Sequence, residues 1–144
     1  MAAADTTLVV PDASVLLKWV LQGDGEPDRD AALGLRAAWL DERCELIVPT
    51  LWLYEVGNVL GLKRPADADA FLHALADLGL QEAAPHGYLP AIVTLMRQRK
   101  VTFYDAAYHA LAIHVGGTMV TADAAYVRRA RAAGSVVLLA DWRR

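Results

Sequence analysis

The apolar positions of this chain recur in two spacings, short continuous runs and sets that fall on one face of a helix. Thr7 to Val10 is a short β-branched and apolar run, and apolar residues at 15, 16, 19 and 20 then follow helical spacing. The pattern predicts a strand, a turn and a helix over 13–21. The polar stretch QGDGEPDRD, 22–30, reads as a loop, followed by a helix over 31–40 and a strand over 46–48. Pro49 and Thr50 open a third helix that runs to about Gly61, and Pro65 suits the first turn of a fourth ending near Gly79. A short strand over 80–83 precedes helices over about 88–98 and from Thr102 to the Gly116-Gly117 pair. Thr118 to Thr121 is then a strand, Asp123 to Ala133 a helix ended by Gly134, and SVVLL a last strand.

Short strands alternating with helices imply parallel pairing in a sheet covered on both faces. No internal repeat or low-complexity segment interrupts the alternation. The expected architecture is a doubly wound α/β/α sandwich forming one domain over residues 1–144, with ligands outside the carboxyl ends of its strands. A hydrophobic content of 56% against 22% charged residues is that of a folded chain, away from the signature of disorder. With Cys44 the only cysteine, no intrachain disulfide can form, and a reducing, cytoplasmic setting is the expectation. No apolar run approaches the roughly 18 residues of a membrane span, and MAAADTTLVV lacks the features of a signal peptide. A formal net charge of −3 offers no global attraction to nucleic acid, so any such binding needs a local basic patch.

Four acids fall at the edge where a ligand is expected. Asp12 follows the first strand and Asp123 follows the strand ending at Thr121. Because a crossover helix runs antiparallel to its strands, Glu55 and Asp105, near the starts of their helices, lie at the same rim. Each has a plainer reading. Asp12 and Asp123 suit helix N-caps, and Asp105 suits the third position of a capping box begun by Thr102. Glu55 lies in an otherwise apolar helix, LWLYEVGNVL, where a charge inside a buried stripe is costly unless paired or bound to a cation; a place on the helix's outer face is the alternative. Four converging carboxylates repel and raise one another's pKa unless a cation neutralises them. The all-oxygen set suits Mg²⁺, or Mn²⁺, rather than zinc, and such an ion supports hydrolytic phosphoryl transfer.

The stretches VVPDASVLLKW (9–19), YEVGNVL (54–60), TFYDAAYHALAI (102–113) and VTADAAY (120–126) resemble, in order, the motifs of PIN-domain proteins, specifically VapC-type toxins of toxin–antitoxin pairs. The resemblance implies an Mg²⁺-dependent endoribonuclease with a mostly parallel five-stranded sheet that cleaves a structured cellular RNA. It implies an acidic quartet of Asp12, Glu55, Asp105 and Asp123, with Asp12 and Asp105 as direct metal ligands joined by Asp123. Ser14, Asn58 and Thr121 match the family's supporting polar positions. A homodimer and an inhibiting antitoxin partner are also implied. His109 shares a helix face with Asp105; a packed or dimer-facing role is the expectation, with proton transfer the alternative.

Basic residues occur as RQRK (97–100), as Arg128, Arg129 and Arg131, and as Arg143 and Arg144. Most read as solvated faces, whereas Arg97, Arg99 and Lys100, just before the helix of Asp105, are the candidates for RNA phosphate contact. Trp19, Trp39 and Trp52, on apolar helix faces, read as core or interface residues more than as base-stacking platforms, and Trp142 is left open. Two other functions stay open: a phosphatase using Asp12 as nucleophile, and a non-catalytic module whose acidic rim docks a basic partner.

Overall fold

The computed structural model describes residues 7–23 and 25–143; Asp24 of the expected loop and Arg144 of the basic tail lie outside them. Among those residues five strands run in the order β1 (Thr7–Pro11), β2 (Cys44–Pro49), β3 (Gln81–Ala83), β4 (Thr118–Thr121) and β5 (Val136–Leu138). They interleave with α1 (Ala13–Val20), α2 (Arg29–Leu40), α3 (Trp52–Lys63), α4 (Ala68–Ala76), α5 (Leu89–Arg99), α6 (Phe103–Val115) and α7 (Ala124–Ala130). The alternation of the sequence is thus realised as an α/β/α sandwich.

All strand pairs are parallel, in the spatial order β3-β2-β1-β4-β5. β1 is central, with Val9 opposite both Leu46 and Thr118, and Val9 and Val10 are fully buried. Strand order leaves β1 in one direction toward β2 and β3 and in the other toward β4 and β5. The winding therefore reverses between β1 and β4, which opens a crevice at their carboxyl ends. Helices α1–α4 pack on one another, with α1 and α2 against the sheet; α5, α6 and α7 form a second group, with α6 against β1, β2 and β4.

Helix α6 is set between firm stops. Thr102 Oγ1 accepts the Asp105 N–H at 3.2 Å and caps its start. At its end Gly116 adopts φ 70°, and Gly117 N–H returns to the Ala112 carbonyl at 2.8 Å in a Schellman arrangement. Gly117 is also where the chain passes β1: a Cβ there would stand 2.5 Å from the Leu8 carbonyl oxygen. Residues 106–112 are all buried, as a helix apolar on every side requires.

Two boundaries differ from expectation. Pro65 does not open α4; residues 64–67 form a turn closed by Asp67 N–H to the Arg64 carbonyl and by a 2.6 Å Arg64–Asp67 ion pair, and the helix starts at Ala68. The helix expected through Ala133 stops at Ala130 and tightens into a 3₁₀ turn before Gly134, at φ 76°. No helix of the described residues is long and apolar enough to cross a membrane.

Candidate active site

Asp12 emerges from β1 into the crevice. It stands at the N-cap position of α1, yet its side chain makes no capping bond. Instead Ser14 Oγ donates to Oδ1 at 2.5 Å and Thr121 Oγ1 donates to Oδ2 at 2.6 Å. Each hydroxyl is itself held by the backbone beyond β4: Ser14 Oγ accepts from Ala122 N–H and Thr121 Oγ1 from Asp123 N–H, both at 3.0 Å. The carboxyl ends of the two strands are thereby tied through one carboxylate. Asp12 is only 6% exposed, and burial pushes its pKa up from 3.8 to about 6. The two hydroxyls pull it down, the charge of Asp105 pushes it up, and the nearby Val15 N–H, whose geometry falls short of a capping bond, lowers it slightly.

The other acids arrive as their helices dictate. Asp123 is an N-cap in fact, its Oδ1 accepting Tyr126 N–H at 3.0 Å. Asp105, in the first turn of α6, has its pKa raised by burial and then by Asp123, against a lowering by Thr102. Glu55, in the first turn of α3, turns inward: its pKa is raised by burial, lowered by the Tyr108 hydroxyl, and raised by Asp105 and Asp12. Both Glu55 Oε1 and the Tyr108 hydroxyl are buried without a hydrogen bond of good geometry, although the two groups are near neighbours. An acceptor left in that state costs about 1–3 kcal/mol, more for a charged group.

These four acids sense one another's charge, from Glu55 through Asp12 and Asp105 to Asp123. Among the described residues no three His, Cys, Asp or Glu side chains stand close enough together to hold an ion as they are. The donor set nevertheless fits a hard divalent cation. It is all oxygen, its members destabilise one another as anions, and one buried oxygen lacks a partner. The hydroxyls on Asp12 are the kind of outer support that orients a ligating carboxylate.

Two clefts flank the rim. One, of about 350 Å³, is lined by Lys100, Thr102, Asp105, Asp123, Tyr126 and Arg129. The other, of about 360 Å³, is lined by Tyr54, Glu55, Asn58, Val59 and Tyr104. A larger depression of about 720 Å³, lined by Gly23, Gly25, Glu26, Arg29 and Arg143 among others, contains none of the four acids. Of the three basic candidates, Lys100 lines a cleft, Arg97 is exposed outside it, and Arg99 has its Nε buried without a partner.

His109 is a packed residue. Its Nε2 lies 2.6 Å from the Gly134 carbonyl, which can only accept, so Nε2 carries the proton and Nδ1 accepts from the Tyr126 hydroxyl at 2.7 Å. Burial lowers its pKa, and with both nitrogens engaged it has no free position from which to shuttle a proton. Tyr108 and Tyr126 are site neighbours that sequence reasoning missed, and Arg129, read from the sequence as part of a solvated face, also lines the first cleft. Tyr108 lies one turn after Asp105 and Tyr126 follows Asp123 at i+3, so helical periodicity was the available signal for these two.

Solved structures share this architecture. A toxin–antitoxin complex from Klebsiella pneumoniae aligns with a TM-score of 0.67 at 16% identity, covering 91% of this chain and 97% of that one. The protein PAE2754 from Pyrobaculum aerophilum aligns at 0.62 and 23% identity, over 96% and 93% of the two chains. VapC20 of Mycobacterium tuberculosis, described as a sarcin-ricin loop cleaving toxin, aligns at 0.61 and 17% identity, over 89% and 96%. At these identities the likeness is one of fold. Comparison with curated proteins finds no match. The family model of the PIN domain, however, matches residues 9–132, a span that holds all four acids and the carboxyl ends of both strands of the crevice, and the chain belongs to the PIN domain family.

Proposed function

We propose that this protein is a divalent-metal-dependent endoribonuclease, the toxin of a toxin–antitoxin pair, and that Asp12, Glu55, Asp105 and Asp123 form its catalytic quartet. The observation that carries the reading is the state of Asp12. It is a buried carboxylate at the switch point, oriented by two hydroxyls and raised in pKa, with three more acids in electrostatic reach. Asp12, Asp105 and Asp123 would hold the ion, with Mg²⁺ the first choice and Mn²⁺ an alternative. When bound, that ion supplies charge stabilisation at the phosphoryl oxygens and a more acidic water.

The chain's own residues supply orientation. Ser14 and Thr121 hold the Asp12 oxygens in place, each leaving a lone pair for a cation. Those same donated bonds draw electron density from the carboxylate, which disfavours its use as the nucleophile of a phosphatase. Asn58 shares the second cleft with Glu55 and supplies an amide there. A cognate antitoxin and a homodimeric state accompany the reading, supported by large apolar side chains left exposed on α3 (Leu53, Tyr54, Leu62) and α5 (Leu89, Val93). A structured cellular RNA is the expected substrate class.

The test is incubation of purified protein with total cellular RNA in Mg²⁺, in Mn²⁺ and in EDTA, alongside Asp12→Asn and Asp105→Asn. Discrete fragments that require both the metal and the two aspartates are the expected result. Fragments that persist in EDTA or in the variants point to a contaminant. Their absence with either metal, while a basic partner still binds, favours a non-catalytic docking module.

A further inference from the structure

We propose that the cleft bounded by the end of α5, the first turn of α6 and one side of α7 is a subsite for backbone phosphates of the RNA strand, with Lys100 and Arg129 as its cations. The inference rests on the ribonuclease reading and says where the polyanion is held. An RNA strand approaching four acids on a chain of net charge −3 is repelled unless cations stand beside them. Lys100 and Arg129 line the cleft that Asp105 and Asp123 also line, so the compensation is local. They come from different elements and are set against each other: Lys100 is the left-handed C-cap of α5, and Arg129 Nη1 donates to its carbonyl at 3.4 Å.

The separation of charge within the cleft points to a ligand. Two cations and two carboxylates share about 350 Å³, and among the described residues neither cation forms an ion pair with either acid or with any other. Opposite charges that share a cleft and stay apart leave room for a group that satisfies both. A phosphodiester does so, its oxygens facing the cations while a metal ion serves the acids. Tyr126 stiffens the floor, since its hydroxyl is bonded to His109 and its N–H to Asp123. Arg97 and Arg128 lie on the same two helices but are exposed outside this cleft, so charge alone does not define the subsite.

The experiment is binding of a fluorescein-labelled single-stranded RNA decamer to the full chain in EDTA, where no cleavage occurs, across a salt series. Lys100→Ala/Arg129→Ala is compared with the charge-matched Arg97→Ala/Arg128→Ala. Loss of two phosphate contacts should flatten the slope of log affinity against log salt by about 1.4, which at roughly 0.1 M salt is a weakening of about 25-fold. The charge-matched pair should retain most of the parent affinity. Because Arg129 also tethers Lys100, Lys100→Gln/Arg129→Gln repeats the test, with thermal melts confirming that both pairs fold. Equal losses in the two pairs, or no loss at Lys100 and Arg129 while the parent binds, overturn the subsite. Polyglutamate binding with the same dependence overturns it in favour of an acidic protein segment. A parent that binds no RNA even at low salt defeats the ribonuclease reading itself, a result distinct from failure of the subsite alone.

Discussion

Asp12→Asn should make the metal-free protein more stable above neutral pH, although it removes the residue at the centre of the site. The folded chain raises the Asp12 carboxyl from 3.8 to about 6. That is a rise of about two units at about 1.4 kcal/mol each, so the ionised carboxylate costs the folded state ~3 kcal/mol. Between those pH values the folded state keeps a proton that the unfolded chain has released. Stability therefore falls as pH rises through the window, and the whole cost is present above it. Asparagine has the same shape and no charge. Its amide nitrogen cannot accept, so the hydroxyl of Ser14 or Thr121 must turn, which returns about 1 kcal/mol of the gain. A net gain of ~2 kcal/mol remains, and for 144 residues that is a rise in Tm of about 7 °C.

Thermal melts of both proteins in EDTA from pH 4 to pH 8 read the difference directly. The variant should be level with the parent or slightly below it near pH 4, then draw ahead through pH 6. His109 has the opposite dependence, because burial lowers its pKa and the folded state resists the proton that an unfolded histidine takes up as pH falls. That contribution is present in both proteins and cancels in their difference. Added Mg²⁺ should narrow the gap by stabilising the parent alone. A gap that does not change with pH, or a variant less stable than the parent at pH 8, refutes the account of Asp12 as a buried carboxylate kept at a cost.

Three further outcomes follow from the same geometry. Ser14→Ala removes a donor to Asp12 and leaves Ala122 N–H unpaired, so at pH 8 it should cost about 1–2 kcal/mol and raise the Asp12 pKa further, moving the midpoint of the pH-dependent stability loss upward; an unmoved midpoint counts against the hydrogen bond. Gly117→Ala places a Cβ against the Leu8 carbonyl, backbone that cannot give way, and should cost about 1–3 kcal/mol in chemical denaturation, with a neutral result showing that β1 and β4 can part locally. His109→Ala leaves the Gly134 carbonyl and the Tyr126 hydroxyl without their partner and opens a buried cavity, so a loss of about 3 kcal/mol is expected; a change under 1 kcal/mol means that the ring is not the anchor its bonds suggest.

What the sequence revealed of this molecule is what depends on neighbours along the chain. The strand-then-acid steps at Asp12 and Asp123, the Thr102 cap and the glycine stop at Gly116 are local patterns, and each sits in the structure where periodicity put it. The choice between cap and site at Asp12 was not local. It turned on Thr121, whose hydroxyl takes the place of the amide bonds a cap would have made. Asp123 shows that the two roles are compatible, capping with one oxygen while bordering the cleft. Strand order was equally hidden, because alternation implies parallel strands without saying that β1 would be flanked by β2 and β4. Tyr108 escaped notice, and Arg129 read as a solvated face, because helical spacing gives a residue's face but not what packs against that face. Pro65 misled because a proline that suits a helix start also suits a turn, and the Arg64–Asp67 pair decided for the turn.

The 109 positions that separate Thr121 from Asp12 also have a meaning in time. At ribosomal rates of about 5–20 residues per second, Asp12 is made ~5–20 s before the hydroxyl that completes its seat. During that interval β1 can pair with β2 but has an open edge where β4 belongs. The four acids come together only once β4 and Asp123 have been made. A growing polypeptide of this design carries its first acid through more than a hundred further residues without owning a site, so whatever chemistry the rim performs begins only after the messenger has been read past the codon for Asp123.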